Sequence, residues 1–280
     1  MNMINDFFQY DFLFFAFLGT LAISLLGGLL SPFIIARSNA FMGAAISHST
    51  LLSLSVTYAL FRSTEGLTLF FWTLLFTLIL TSFIAYGTIK KKMPSDGFIG
   101  IFYSATLSLG VNVHNLFNKE NGDMLNFLFG NILTLSKEDI YLIYLLLIFV
   151  VFLFYFQFKN WIFITFDEDS ARVLKLPVNL FHLAFYFLLT ILIVTMSKIA
   201  GTILIEAFLL IPGFLALSLS KNLKQVFAIS IIFSLTSSII GLIFSNYFEL
   251  PSGATLAATQ FLLLALCLIL KKSYNLIIKQ

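Results

Sequence analysis

Cysteine occurs once in the 280 residues, at Cys267, so neither an internal disulfide nor a thiolate metal cluster is available. Charge is scarce as well: Asp, Glu, Lys and Arg make up 10% of the chain and the formal net charge is +3, too small an excess to point to nucleic acid. Histidine appears three times, at His48, His114 and His182, in three separate apolar runs with few acidic neighbours, which argues against an intramembrane zinc hydrolase. No G-x-x-x-x-G-K-[ST] phosphate loop and no H-E-x-x-H motif is present, so the chain is not expected to be an enzyme, and any energy from ATP must come from another subunit. Internal repeats and Gly/Ser-rich linkers are missing too, and residues 1–280 read as one domain.

What the chain has is apolar length. Hydrophobic residues make up 60% of it, in runs longer than the roughly eighteen residues that mark a bilayer span. These runs are apolar all round instead of alternating, which excludes a membrane β-barrel and points to an all-α, polytopic transmembrane bundle. Charged residues bracket them as Phe12 to Ala36, Ser38 to Phe61, Gly66 to Ile89, Gly97 to Asn118, Ile140 to Phe158, Leu176 to Ser197, Ile199 to Ser220, Gln225 to Phe248 and Leu250 to Leu270. That makes about nine spans, or eight if one run is re-entrant. The N-terminal stretch has no basic region and no convincing cleavage site, so it reads as a retained first span. Alternation from a cytoplasmic, lysine-bearing C-terminus places Lys221, Lys224, Lys159, Arg172, Lys175, Lys90 to Lys92 and Arg37 inside. Asp6, Glu65, Glu120, Asp123 and Glu249 fall outside. This agrees with the positive-inside rule and sets an N-out, C-in topology.

The interval from Lys159 to Pro177 is the one long stretch between runs built as a surface. Asp167, Glu168 and Asp169 come first and Arg172 and Lys175 follow, an order that complements a helix dipole, with Glu168 and Arg172 four residues apart. Ala171 and Leu174 are expected to share a small apolar stripe. Such a helix either docks a soluble partner or lies at the lipid surface. Glu206 is the only acidic residue well inside an apolar run, and an ionised side chain there costs roughly 2.5 to 3.5 kcal/mol, so it is expected to face an interior, a cavity or a partner. His48 offers an imidazole that a carboxylate on a facing helix would complete into a mixed N/O metal site. His114 and His182 read as interfacial. Pro212 and Gly213 interrupt the seventh run as a bend or a hinge. Gly27, Gly28 and Ser31, with Ser104, Ser108 and Gly110, read as close-packing surfaces. The apolar piece Met124 to Leu135 is too short to cross; it either lies on the surface or dips into the bundle mouth as part of an outer gate.

Six stretches together resemble the membrane permease of the zinc/manganese-type ABC metal importers: SNAFMGAAISHSTLL, SDGFIGIFYSATLSLGV, FLFGNILTLSKEDI, FDEDSARVLKLPV, IAGTILIEAFLLIPGFLALSLS and LPSGATLAATQFLL, in order between Phe12 and Leu270. The resemblance implies a homodimer in a bacterial cytoplasmic membrane, a cytoplasmic ATP-binding subunit beneath it and an extracytoplasmic protein that delivers the metal. The cargo would be zinc, manganese or iron, with no permanently bound cofactor. It also implies that Asp167, Glu168, Ala171, Arg172 and Leu174 contact the ATPase. Three positions depart from the family pattern. Ala44 stands where an Asp commonly precedes the motif His48 by one turn, Glu206 stands where a small or hydroxyl residue is usual, and Lys175 replaces a frequent Gly. We therefore expect Glu206 to supply the carboxylate that Ala44 lacks. The alternatives are a permease for an iron chelate or a cobalamin-like substrate, and a stand-alone channel or carrier, which would have no need of a docking helix.

Overall fold

The computed structural model describes residues 10–37, 40–61, 67–89, 95–117 and 130–278. Among these it contains nine long α-helices, one short one and a single 3-10 turn. In chain order they are α1 (Asp11–Ala36), α2 (Ala40–Leu60), α3 (Leu67–Ile89), α4 (Ser95–Phe117), the turn Ile132–Thr134, α5 (Lys137–Phe166), α6 (Glu168–Val173), α7 (Val178–Ala200), α8 (Thr202–Leu219), α9 (Leu223–Phe248) and α10 (Ser252–Ile278). Lys90 to Lys92, Glu65, Glu120, Asp123 and Met124 to Phe129, which carry several of the loop and gate expectations, lie outside the described residues.

Seven of the long helices have the length and apolarity to cross a membrane. The two that do not meet that apolarity are α2 and α4, and composition gives the reason: α2 carries Ser47, His48, Ser49, Thr50, Ser53, Ser55 and Thr57, every one buried. They are shielded inside because α2 packs on α3, α4, α7 and α8. Most of their hydroxyls donate to the carbonyl four residues back, as Ser49 does to Ala45 at 2.6 Å and Ser53 to Ser49 at 2.8 Å, which satisfies them without a partner helix. The outer faces are the reverse. Tyr141, Leu145, Ile148, Phe152 and Tyr155 of α5 and Phe71, Ile79 and Phe83 of α3 are exposed, an apolar surface that only lipid or another helix can cover.

Helix α1 occupies the centre, packed against α5, α8 and α9. Its small residues permit close approach: a Cβ on Gly27 would lie 2.8 Å from Phe208 Cβ, and one on Gly28 would lie 2.8 Å from Ile231 Cα. Polar bonds add to that contact. Ser230 Oγ donates to Gly28 O at 2.7 Å and Ser234 Oγ to Ser24 O at 2.8 Å, in surroundings where no water competes. Gly110 likewise meets Leu52 of α2. Ser104 and Ser108, expected at an interface, instead lie on the exposed face of α4, because the contact with α2 uses the opposite side of that helix.

Pro212 does not break α8, which runs unbroken from Thr202 to Leu219. Beside it, the Gly213 N–H donates at 2.7 Å to Ser31 Oγ of α1. At the other end, Gly130 (φ 64) presses on the α7–α8 junction, where a Cβ would come within 2.1 Å of the Ala200 carbonyl carbon; only glycine fits there. Ile132 is fully buried, its N–H bonded to Ser252 Oγ at 2.8 Å. The described end of the Met124 to Leu135 segment thus dips into the bundle.

Candidate functional site

Helices α2 and α8 run antiparallel and touch where Gly43 faces Leu209. One turn further along α2, His48 meets Glu206: His48 Nε2 and Glu206 Oε1 are 3.4 Å apart. The imidazole is held edge-on against Tyr103 of α4, ring centroids 4.6 Å apart, so three helices fix its orientation. Its other nitrogen, Nδ1, is buried without a hydrogen-bond partner, as is the neighbouring Ser47 Oγ. Ala44, one turn back, has no side-chain oxygen to offer. Glu206 is 28% exposed, so the pair is reachable and not sealed in the core.

A divalent ion bonded at about 2.1 Å to one nitrogen and one oxygen donor holds them about 3.4 Å apart when the angle at the ion is near tetrahedral. The observed separation therefore matches a tetrahedral ion and lies a few tenths of an ångström beyond the roughly 3.0 Å that an octahedral ion would set. Among the described residues no group of three or more His, Cys, Asp or Glu side chains gathers; His48 and Glu206 are the pair brought together here.

The second element is α6. Asp167 caps it, accepting the Ser170 N–H at 3.0 Å, and that pairing with Ser170, through side chain and backbone, holds the Asp167 carboxyl below the ordinary carboxylate value. Glu168 accepts from Arg172 at 2.7 Å, the i,i+4 pair expected from the charge order. It also sits 3.2 Å from His182 Nε2, while Arg172 reaches Asn179 at 3.2 Å, so α6 is tied to the first turns of α7. The helix ends in a Schellman motif: Leu176 N–H donates to Ala171 O and Lys175 N–H to Arg172 O, with Lys175 left-handed at φ 59. This is the backbone that glycine takes without strain, which explains why a Gly suits the position.

Ala171 and Leu174 do not share a face. Ala171 is fully buried against Ile164 and Val178, whereas Leu174 is 65% exposed beside Val173 at 81%, because the helix ends at Val173 and the chain then turns. His182 was read as interfacial without its partner Glu168, and Asn179 was not singled out, because both lie beyond the Pro177 turn and so outside any helical spacing from Glu168. Tyr103 was not singled out either. His114, expected at an interface, is buried, and its Nε2 has no hydrogen-bond partner.

A bundle of long apolar helices with one polar, buried helix among them, an imidazole and a carboxylate paired within it and a short charged helix at one end has the make-up of a multi-pass membrane transport subunit. The chain belongs to the ABC 3 transport family, whose profile matches residues 9–271. It is 31% identical over 268 residues to the manganese import system permease protein ScaB of Streptococcus gordonii, covering 93% of each chain. It is 30% identical over 256 residues to the manganese transport system membrane protein MntC of Listeria monocytogenes, covering 91% of this chain and 89% of that one. Among solved structures it is similar to PsaBC from Streptococcus pneumoniae in complex with Fab, with a TM-score of 0.82, 29% identity and coverage of 95% of this chain and 94% of that one. It is a multi-pass protein of the bacterial inner membrane.

Proposed function

We propose that this chain is the permease subunit of an ATP-driven importer for a divalent metal ion, with manganese as the cargo. The observation that carries this reading is the placement of His48 and Glu206 at 3.4 Å on facing helices, next to orphaned polar atoms, inside a bundle with two manganese-permease relatives. In this reading the chain crosses nine times, with the N-terminus outside and the C-terminus inside. The α6 end, with Arg37, Lys221, Lys224 and Lys271, faces the cytoplasm. An extracytoplasmic metal-binding protein delivers the ion to a homodimer, and the two-ligand site holds it weakly enough to pass it on.

The drive enters at α6. Exposed Val173 and Leu174 present an apolar contact to the ATP-binding subunit, while the carboxylates and Arg172 fix its register. Asp167 and Glu168 order the helix, and buried Ala171 seats it on the bundle. Pro212 and Gly213 act less as a free hinge than as a fixed pivot, since Gly213 is bonded to α1.

The test is manganese uptake into proteoliposomes holding the permease and its ATP-binding subunit, with metal-loaded binding protein supplied. ATP-dependent uptake that falls at least about tenfold in both His48→Ala and Glu206→Gln supports the reading. Uptake unchanged in both variants removes the metal site.

A further inference from the structure

Arg37 ends α1, its backbone N–H bonded to Phe33 O at 3.2 Å. Its side chain reaches two other helices. Nε donates to Thr165 Oγ1 at 2.9 Å, two residues before the Asp167 cap of α6, and the guanidinium carbon lies 4.9 Å from the centre of the Phe185 ring on α7. Helix α6 is suspended between α5 and α7, so this one side chain of α1 grips both attachments of the docking element. Above it Phe33 packs edge-on against Phe154 and Trp161 and closes the same three-helix junction. Nη1 is buried without a hydrogen-bond partner among the described residues, and the Glu168 carboxylate acts on the guanidinium electrostatically.

Helix α1 is also the element bonded to α8. Ser31, six residues before Arg37, accepts the Gly213 N–H at 2.7 Å, and Glu206 lies seven residues along α8 from Gly213, about two turns or ~10 Å. Two stiff helices and two polar contacts thus join α6 to the carboxylate of the proposed metal site. A small apolar crevice lined by Pro32, Phe33, Thr165, Leu217 and Phe227 lies beside the end of α1.

We propose that Arg37 is a positioning residue that carries displacement of α6 into α1 and, through the Ser31–Gly213 bond, into the helix bearing Glu206. The planar guanidinium, bonded through Nε to Thr165 and lying over the Phe185 ring, suits this role because it holds direction as well as distance, which a lysine ammonium does not. This inference rests on the transport reading above, and a contiguous chain of contacts becomes a coupling route only when breaking it uncouples the ends.

The experiment uses the full complex with its ATP-binding subunit and two readouts. The first is manganese taken up per ATP hydrolysed. Arg37→Ala is expected to lower that ratio at least about tenfold while hydrolysis persists, Thr165→Val several-fold, and Arg37→Lys to restore part of it. The second readout does not require transport: the distance between spin labels at Phe214→Cys on α8 and Tyr155→Cys on α5, in a Cys267→Ser background, with and without nucleotide. A nucleotide-dependent shift present in the parent and lost in Arg37→Ala supports the role. A wild-type ratio and an unchanged shift in Arg37→Ala overturn it. If Arg37→Ala does not assemble, Thr165→Val and Ser31→Ala decide, and parental behaviour in both overturns the role. A parent complex that moves no manganese yet shows an Arg37-dependent shift contradicts the cargo and leaves the relay standing.

Discussion

The Gly213 amide donates to Ser31 Oγ at 2.7 Å, next to the proline of α8, so the point where that helix could most easily flex is fastened to α1. A methyl group has no room there, since a Cβ on Gly213 would lie 2.5 Å from the Ser31 carbonyl carbon. Gly213→Ala is expected to cost about 1–3 kcal/mol through overpacking. Gly97→Ala, with nothing within 4 Å of its added Cβ, is expected to be neutral or to stabilise by up to about 1 kcal/mol. Thermal unfolding of the two variants in detergent checks the contrast.

Lys175 occupies a left-handed backbone that costs a non-glycine residue roughly 1 kcal/mol. Lys175→Gly is expected to recover most of that and Lys175→Val to lose more. Hydrogen exchange at the Lys175 and Leu176 amides, which close the Schellman motif, reads the effect directly: slower in the first variant, faster in the second.

The Asp167 cap gives α6 a pH dependence of defined sign. Its carboxyl is held below its ordinary value of 3.8 by Ser170, so the folded state favours the carboxylate. The stabilisation is complete above 3.8 and is lost as the pH falls below it through the depressed value. Ser170 amide protection is therefore expected to be flat above that range and to decline below it. Asp167→Asn, which keeps an acceptor oxygen and cannot titrate, is expected to remove the decline.

Glu168 holds Arg172 at 2.7 Å and lies 3.2 Å from His182, so it orders α6 and ties it to α7. Glu168→Arg places a cation against both and is expected to abolish co-purification of the ATP-binding subunit. Glu168→Gln, which retains a hydrogen-bonding oxygen, is expected to weaken it only several-fold. Quantitative pull-down from membranes distinguishes the two.

The long elements were legible because burial in lipid leaves an unbroken apolar signature: Phe12 to Ala36 was expected and Asp11–Ala36 found, Gln225 to Phe248 expected and Leu223–Phe248 found. Helix α5 overran its expected end at Phe158 and continues to Phe166, because Lys159 marks the edge of the apolar run without ending the helix. Its start lies at the Ser136–Asp139 capping box, a polar signal outside that run. The short helix α6 was readable from charge order alone, since Glu168 and Arg172 are neighbours on one helix. Its attachments were not. Arg37 meets Thr165 across 128 positions and His182 meets Glu168 across a turn, and no local periodicity reports contacts made by tertiary packing. The same limit hid the true faces of Leu174, Ser104 and Ser108. His48 and Glu206 were singled out because each is an expensive residue in an apolar run.

On the transport reading, His48 and Glu206 bind the same ion. Pulsed electron paramagnetic resonance of manganese bound to the purified complex tests it most directly, because an imidazole nitrogen ligand modulates the electron spin echo. The expected result is a nitrogen modulation in the parent protein that disappears in His48→Ala, with manganese binding at least about tenfold weaker in Glu206→Gln. A bound manganese whose spectrum is the same in parent and His48→Ala would contradict the account.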